Sequence, residues 1–255
     1  MIMKIIASDY DGTLNIGGVS QENKDAIAGW QKNGNLFGLV SGRALKDLIA
    51  LKERDKVPYD FYIAGTGSII ANSEGEIVKR SPFSMETVHK LVDFLIEGKL
   101  CKHMVFVCDH DRKWVFFDAE EAKKHEREQI ELTEIDKTFP YASQISLALP
   151  TVEEATKVTD LIAKKFDKVL NPCQNGGCID IVTYGMDKAV GILEYCKLVG
   201  LSDKDVITAG DNYNDLAMIK RFEGCAVGKA VEPLIEAAKH RYPTIDKLID
   251  DFCQA

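Results

Sequence analysis

Residues 4 to 13 join a short apolar run to two aspartates that stand one residue apart, Asp9 and Asp11. A few apolar residues that end at a turn are typical of a buried strand, and open α/β sheets carry their chemistry just beyond the carboxyl ends of their strands. Two carboxylates this close repel each other unless a cation lies between them or one of them holds a proton. The stretch therefore indicates either a reactive acidic site or, since Asp and Gly are common in turns, an ordinary solvated turn.

Apolar runs that end in polar loops recur at both ends of the chain and alternate with helical patterns. The first part predicts strands near 35–40 and 61–64, helices over about 20–33 and 44–54, and a hairpin from 68 to 79. The last part predicts a helix over 187–199, a strand over 205–209, a short helix, a strand near 225–227 and two terminal helices. Alternation of this kind favours an α/β fold with a doubly wound, mostly parallel sheet.

The pattern changes between residues 82 and 183. It predicts helices over 85–98 and 119–131 and one opened by Thr151, with strands near 103–108, 113–118, 144–149, 168–170 and 178–183. Strands joined by tight turns favour an antiparallel sheet with helices on one face. We therefore expect a core of residues 1–81 and 184–255 and an inserted α+β domain of residues 82–183.

Charge and composition narrow the classes of function. The 255 residues carry a net charge of −8 and no long basic run, so we expect no nucleic-acid partner. No apolar run approaches the ~18 residues of a membrane span, and Asp9 and Asp11 interrupt the region where a signal peptide would be apolar. Seven cysteines without a C-x-x-C pair favour reduced thiols. We expect a cytoplasmic protein that acts on small molecules, and its oligomeric state stays open.

Four short segments lie where predicted core strands end or where the following helix begins. They are Asp9 to Thr13, Ser41 to Arg43, Lys188, and Gly210 to Asp215. The carboxyl ends of parallel strands share one edge of a sheet, so we expect these segments to converge. Each one alone also fits a loop, a solvated helix residue or a capped turn, and their order is what makes the set specific.

In that order the segments resemble the four motifs of the haloacid dehalogenase (HAD) superfamily: Asp-x-Asp-Gly-Thr, a Ser or Thr, a Lys, and Gly-Asp-x-x-Asn-Asp. The insert resembles the C2 cap, and with Gly-Asp-Asn-Tyr-Asn-Asp it resembles the Cof-type (IIB) subfamily. The resemblance implies a Rossmann-like core and a cap that selects the substrate. Thr66-Gly67 stands where the subfamily usually has Asn-Gly, so the resemblance implies no substrate contact of that Asn for this chain. Within the cap, the stretch from Cys173 to Cys178 is a candidate for substrate contact or an ordinary hairpin.

The resemblance implies phosphoryl transfer with four catalytic residues. Asp9 would attack phosphorus to form an aspartyl-phosphate. Asp11 would protonate the leaving oxygen and then activate water, which requires a pKa above the ~3.9 of an ordinary Asp. Ser41 would donate to a phosphate oxygen, and Lys188 would offset negative charge.

The resemblance also implies contacts to the substrate and to a metal. The other expected substrate-binding residues are Tyr10 and Gly42, through their backbone amides, together with Arg43 and Asn214. Arg43 fits a surface salt bridge equally well. The expected ligands of Mg²⁺ are Asp9, the Asp11 carbonyl and Asp211, with Asp215 in support, because Mg²⁺ prefers oxygen donors.

Three classes of function are compatible with these motifs. The preferred one is a phosphatase of small phosphorylated metabolites, sugar phosphates by analogy with the subfamily. A phosphomutase is the alternative, since related capped enzymes use the same first motif to return the phosphoryl group to a sugar. A signalling receiver or silent binding module is less favoured, because receivers need neither the long insert nor an acid two residues after the nucleophile.

Overall fold

The first strand, β1 (Ile5–Ser8), is buried along its whole length in the computed structural model, which describes residues 3–254. Helix α1 (Gln21–Lys32) begins at Ser20, whose side chain accepts a hydrogen bond from the backbone N–H of Asn23. This is the cap that the sequence predicts. The following elements are β2 (Leu36–Val40), α2 (Leu45–Asp55), β3 (Phe61–Ala64), β4 (Ile69–Asn72) and β5 (Ile77–Arg80).

The middle of the chain supplies short strands and two long helices. They are β6 (Phe83–Ser84), α3 (Met85–Glu97), β7 (His103–Cys108), β8 (Asp111–Phe116), α4 (Ala119–Ala122), α5 (Ile135–Thr138), β9 (Tyr141–Ala142), β10 (Gln144–Ala148), α6 (Val152–Lys165), β11 (Leu170–Asn175) and β12 (Cys178–Thr183). The end of the chain supplies α7 (Lys188–Val199), β13 (Val206–Gly210), α8 (Leu216–Arg221), β14 (Glu223–Val227), α9 (Glu232–Ala237), β15 (His240–Tyr242) and α10 (Ile245–Gln254).

The prediction of one charged helix over residues 119–131 is wrong. Only α4 is helical there, and the chain then runs beside the edge strand β8, where Trp114 donates to the Glu128 carbonyl and Ile130 donates to the Trp114 carbonyl, both at 2.9 Å. The segment has too few apolar residues to form a buried helical face, which is what stabilises most helices in proteins. Backbone pairing with β8 replaces the helix.

The larger sheet has the strand order β15-β14-β13-β1-β2-β3-β4-β5. Strand β1 pairs in parallel with both β13 and β2, and only β4 is recorded as antiparallel to its neighbour, β3, among the pairings described. Ile6 faces a core shared with α1, α2 and α10, whereas Ile5 and Ala7 face a core shared with α7, α8 and α9. Helices thus cover both faces, which confirms the predicted doubly wound α/β class.

The smaller sheet has the order β11-β12-β10-β7-β8, and its recorded pairings are antiparallel. Alternate residues such as Met104 and Phe106 pack in one core with Leu91 of α3 and Ile162 of α6. This arrangement has the antiparallel sheet and packed helices that the sequence predicts for the insert.

The chain divides into two compact units. One unit combines the residues up to Lys79 with those from Asp187 onward, and the other is Arg80–Met186. The expected division, at residues 81/82 and 183/184, lies a few residues from these limits. Throughout residues 3–254, every helix is too short or too polar to cross a membrane.

Candidate active site

Four neighbouring strands of the larger sheet bring the motif residues to one edge. Asp9 follows β1, Ser41 follows β2, Gly65 follows β3, and Asp211 follows β13. The backbone N–H of Asp9 donates to the Ala209 carbonyl at 2.9 Å, so pairing of β1 with β13 extends to the first motif residue. Parallel pairing therefore places these loops side by side, as the strand pattern predicts.

Lys188, the first residue of α7, is fully buried between two carboxylates. Its Nζ atom lies 2.7 Å from Asp9 Oδ1 and 2.6 Å from Asp215 Oδ1. Burial alone would lower the pKa of Lys188, but the charges of Asp215 and Asp9 outweigh it and raise that pKa above its usual value. The alternative of a solvated helix residue is wrong, and the two carboxylates favour the charged form of this buried lysine.

Asp215 binds the Lys188 ammonium group and also the backbone of the turn that contains Asp211 and Asn212. Its second oxygen, Oδ2, accepts from the backbone N–H groups of Asp211 and Asn212, each at 3.1 Å. Gly210 leaves room for the carboxylate, since a Cβ atom there would lie 2.6 Å from Asp215 Cβ. Both oxygens of Asp215 are thus engaged with protein groups, which suits a supporting residue better than a direct ligand.

Three carboxylates come together around a single ammonium group. Oxygens of Asp9, Asp211 and Asp215 all lie within 4.8 Å of one another. Burial raises the pKa of Asp9 well above its usual value, and Lys188 opposes this only in part. Burial also raises the pKa of Asp211, against the hydrogen bond that Thr13 Oγ1 donates to Asp211 Oδ1 at 2.7 Å. Folding therefore concentrates negative charge here, and a bound cation would relieve it.

The donor set fits a hard divalent cation. The three side chains offer only oxygens, the ligands that Mg²⁺ prefers. Gly12 has a φ of +88°, and a Cβ atom on it would lie 2.4 Å from Asp211 Oδ2. The backbone at Gly12 therefore approaches the Asp211 carboxylate closely. The carbonyl of Asp11, which belongs to the same peptide unit, is an expected metal ligand whose role stays a prediction.

The side chain of Asp11 is paired with Arg43. Arg43 Nε lies 2.6 Å from Asp11 Oδ2 and Arg43 Nη2 lies 2.7 Å from Asp11 Oδ1, a bidentate pair in which both side chains are partly exposed. Of the two roles considered for Arg43, the structure shows the salt bridge. A contact with substrate stays a prediction.

Backbone hydrogen bonds join the loop after β2, which contains Ser41, to the loop after β3. Ser41 is buried, its Oγ accepts from the Arg43 N–H at 3.2 Å, and its carbonyl accepts from the Thr66 N–H at 3.0 Å. Gly65 donates to the Arg43 carbonyl at 3.0 Å. These bonds fix the loop that carries Ser41 and Gly42, whose phosphate contacts stay predictions.

Asn214 lies half-buried in the turn before α8. Among the contacts recorded for residues 3–254, the Lys188 ammonium bonds to Asp9 and Asp215 and not to Asn214. The expected help of Asn214 in orienting the lysine or the phosphate stays a prediction.

Sequence reasoning missed the roles of two side chains at this edge. Thr13 was part of the first motif without an assigned contact, and it binds Asp211. Tyr10 was expected to act only through its amide, yet its buried hydroxyl donates to Asp55 Oδ2 at 3.0 Å. No local spacing indicates a contact between residues 45 positions apart.

Comparison with known proteins places these features in a family. The family described as haloacid dehalogenase-like hydrolase matches residues 6–247. The chain is similar to two proteins named 5-amino-6-(5-phospho-D-ribitylamino)uracil phosphatase. YwtE of Bacillus subtilis is 25% identical over 98% of this chain and 94% of its own, and YbjI of Escherichia coli is 24% identical over 94% and 91%. The solved structure of the HAD subclass IIB sugar phosphatase BT4131 superposes with a TM-score of 0.81 at 20% identity, covering 99% of this chain and 100% of that one.

Proposed function

Since the chain belongs to the haloacid dehalogenase-like hydrolase family and is a Cof-type phosphatase, we propose that it hydrolyses small phosphorylated metabolites, sugar phosphates in particular. The proposed reaction uses Mg²⁺ and an aspartyl-phosphate on Asp9. The observation that carries the proposal is the buried cluster of Asp9, Asp215 and Lys188, with the Asp211 carboxylate beside it.

The nucleophile in this proposal is Asp9. One of its oxygens, Oδ1, is fixed by the Lys188 ammonium at 2.7 Å, which orients the carboxylate and leaves Oδ2 as the oxygen that attacks phosphorus or binds the metal. The attack forms a P–O bond to Asp9 as the bond to the leaving oxygen breaks. The charged form of Lys188, which Asp9 and Asp215 favour, would lower the cost of bringing an anionic phosphate to an anionic carboxylate.

Metal binding in this proposal falls to Asp9, Asp211 and the Asp11 carbonyl, with Asp215 orienting the turn that carries Asp211. Mg²⁺ would supply positive charge against the phosphate oxygens and would fix the substrate for in-line attack. Thr13 holds one oxygen of Asp211, so the carboxylate presents its other oxygen in a single orientation.

Asp11 is the general acid and the general base in this proposal. It would give a proton to the leaving oxygen and would later take one from the water that hydrolyses the aspartyl-phosphate. The structure pairs both oxygens of its carboxylate with Arg43. In this proposal the partly exposed pair opens as Arg43 turns to the phosphate, so that one oxygen of Asp11 is free to carry the proton. Ser41, the amides of Tyr10 and Gly42, Arg43 and Asn214 are the proposed phosphate contacts.

The substrate class is proposed from the relatives and from the insert. The named relatives YwtE and YbjI act, by their names, on a phosphorylated ribityl compound, and BT4131 is called a sugar phosphatase. A monophosphate on a polyol or sugar chain is the chemistry that these names share. We assign the choice among such compounds to the unit Arg80–Met186, as a cap of this family would make it.

Phosphate release from a panel of sugar and polyol phosphates, with and without Mg²⁺, tests the proposal. We expect Mg²⁺-dependent release by the wild-type protein, and a loss of at least about a thousandfold in Asp9→Asn, as removal of a nucleophile gives. Asp246→Asn is the matched control, because Asp246 is also a buried aspartate of the same unit and lies outside the cluster. Formation of an isomeric phosphate without release would replace the hydrolase by a phosphomutase, and wild-type activity in Asp9→Asn would refute the nucleophile.

A further inference from the structure

The side chain of Tyr10 is buried, although its backbone belongs to the turn Asp9 to Thr13, which we call the acidic turn. Tyr10 stands between Asp9 and Asp11 in the sequence, and its ring is completely buried on the side of the sheet that faces α1 and α2. Its hydroxyl donates to Asp55 Oδ2 at 3.0 Å and accepts a hydrogen bond from Arg54 Nη2. The hydroxyl therefore both donates and accepts a hydrogen bond, which restrains the position of the ring.

Asp55, at the end of α2, accepts the hydrogen bond from the Tyr10 hydroxyl. It is 5% exposed, and its carboxylate accepts from the hydroxyls of both Tyr10 and Tyr59, each at 3.0 Å, and from Arg54 Nε at 3.0 Å. A buried carboxylate is costly unless such donors surround it. Burial raises the pKa of Tyr59, so this hydroxyl stays a donor at neutral pH. Without Tyr59, each oxygen of Asp55 still has a donor, Tyr10 for Oδ2 and Arg54 for Oδ1.

The face of the Tyr10 ring contacts the side chain of Arg43. The Arg43 guanidinium carbon lies 5.5 Å from the ring centroid, within the range of a cation–π contact. The same guanidinium holds both oxygens of Asp11 at 2.6 and 2.7 Å. A continuous series of contacts therefore runs from Asp55 through Tyr10 and Arg43 to the Asp11 carboxylate.

We propose that Asp55 and Tyr10 are positioning residues for Asp11, which they control through the placement of Arg43. The inference rests on the phosphatase reaction proposed above, in which Asp11 protonates the leaving oxygen. Asp11 and Arg43 are both partly exposed, so their pair is not held by burial, and the buried ring of Tyr10 supplies the fixed surface that it needs. The backbone amide of Tyr10, a proposed phosphate contact, is a separate function of the same residue.

A defect in the acid has a specific signature, because good leaving groups depart without a proton whereas poor ones need it. The measurement is the dependence of kcat/KM on leaving-group basicity, with aryl phosphates that range from nitrophenyl to unsubstituted phenyl phosphate as substrates. For Tyr10→Phe, which keeps the ring and the amide, we expect about a tenfold loss with phenyl phosphate and less than about a threefold loss with nitrophenyl phosphate, as a slightly misplaced catalytic group would give.

The matched control is Tyr59→Phe. It deletes the same kind of buried hydrogen bond, to the same oxygen of Asp55 and at the same distance, but Tyr59 has no recorded contact with the acidic turn within residues 3–254. We expect Tyr59→Phe to lose thermal stability too, though less than Tyr10→Phe, which also loses the bond from Arg54, while the leaving-group dependence of Tyr59→Phe stays that of the wild type. Should the leaving-group dependence change equally in both variants, the positioning role would be overturned in favour of general destabilisation.

A double variant tests whether Tyr10 acts through Asp11. If Asp11→Asn already removes the acid, adding Tyr10→Phe should cost no further activity with phenyl phosphate. Multiplicative losses in the double variant would show that Tyr10 acts independently and would end this inference. A wild-type protein that hydrolyses none of the aryl or sugar phosphates would instead refute the proposed function, which keeps the two failures distinct.

Discussion

At the scale of the single residue, the conformation of Thr66 is the feature least expected from its side chain. Thr66 is buried with φ +52° and ψ +37°, the left-handed region that a β-branched residue rarely occupies. Its N–H is bonded to the Ser41 carbonyl, so the loop after β3 forces the conformation upon it. Backbone strain of this kind is found at functional sites, where the surrounding structure maintains it.

We predict that Thr66→Asn stabilises the protein by about 1 kcal/mol, because Asn tolerates the left-handed region much better than Thr. Thermal or urea unfolding measures the change. Thr66→Gly serves as the comparison, since it removes both the strain and the side chain. If both variants are less stable than the wild type, the contacts of the threonine side chain outweigh the strain.

The motif residues could be found from the sequence, because in their order they resemble the four HAD motifs and their types suit phosphoryl transfer. Asp9, Asp211 and Lys188 converge, as predicted from their places at the ends of core strands or at the start of the following helix. The contact between Tyr10 and Asp55 could not be found, since nothing local to Asp55 distinguishes it from an ordinary aspartate at a helix end. Buried polar networks depend on which helices pack together, and single-sequence patterns do not contain that information.

At the scale of the element, helix α7 carries the site lysine and is placed by two glycines. Gly191, on the first turns of α7, packs against Gly67 in the turn after β3, and a Cβ atom on Gly191 would lie 2.8 Å from Gly67 Cα. Asp187 caps the helix by accepting from the Val190 N–H at 2.8 Å, so the position of Lys188 is fixed by the cap and by this close approach.

We predict that Gly191→Ala lowers kcat at least about tenfold although Ala is the better helix former, because the added methyl pushes α7 and Lys188 away from Asp9. Gly29→Ala is the control. Gly29 also lies within a helix, α1, and a Cβ atom there meets nothing within 4 Å, so we expect a gain of about 0.5–1 kcal/mol and unchanged activity. Wild-type kcat in Gly191→Ala would show that α7 can shift without consequence.

Elements were predicted best where a buried pattern defines them. Strand β1 and helix α1 follow from apolar runs and a cap, and both lie where expected. The charged segment over 119–131 was misassigned because high helix propensity without an apolar face does not stabilise a helix against pairing with β8. Strand β15 was missed, since His240–Tyr242 is too short and too polar to show a strand pattern.

At the scale of the whole molecule, the acidic cluster should make stability depend on pH and on Mg²⁺. Burial raises the pKa of Asp9 and Asp211 above the usual 3.8. Without metal, protonated Asp9 and Asp211 favour the folded state, and this contribution to stability is fully present at a pH below 3.8. It is lost as the pH rises through the higher pKa values that the two groups have in the folded protein. At neutral pH a divalent cation should restore it.

We predict that Mg²⁺ at about a hundred times its Kd stabilises the wild-type protein by about 2.7 kcal/mol, which corresponds to a rise in Tm of roughly 5–10 °C for a protein of this size. Thermal scans in EDTA and in Mg²⁺ measure the difference. Asp211→Asn should lose the response, whereas Asp203→Asn should retain it, because Asp203 is an exposed partner of Arg221 outside the cluster. An equal response in Asp211→Asn would place the cation elsewhere.

The division of the chain into two units predicts that the unit Arg80–Met186 can fold independently. The unit Arg80–Met186 is one continuous segment with its own sheet and its own apolar core, and its two ends are joined where Thr183 Oγ1 donates to the Ser81 carbonyl at 3.0 Å. We predict that residues 80–186, expressed alone, fold cooperatively, since a segment of this size with a complete core buries enough surface for independent stability. A cooperative thermal transition together with dispersed amide resonances would establish this.

The complementary experiment replaces residues 80–186 by a short Gly-Ser linker. The cluster of Asp9, Asp211, Asp215 and Lys188 lies wholly in the remaining unit, so its thermal response to Mg²⁺ and some activity on nitrophenyl phosphate should survive, while preference among sugar phosphates should be lost. If the linker protein folds but no longer responds to Mg²⁺, the metal site needs residues of the insert. The carboxylate cluster would then be an incomplete description of the centre.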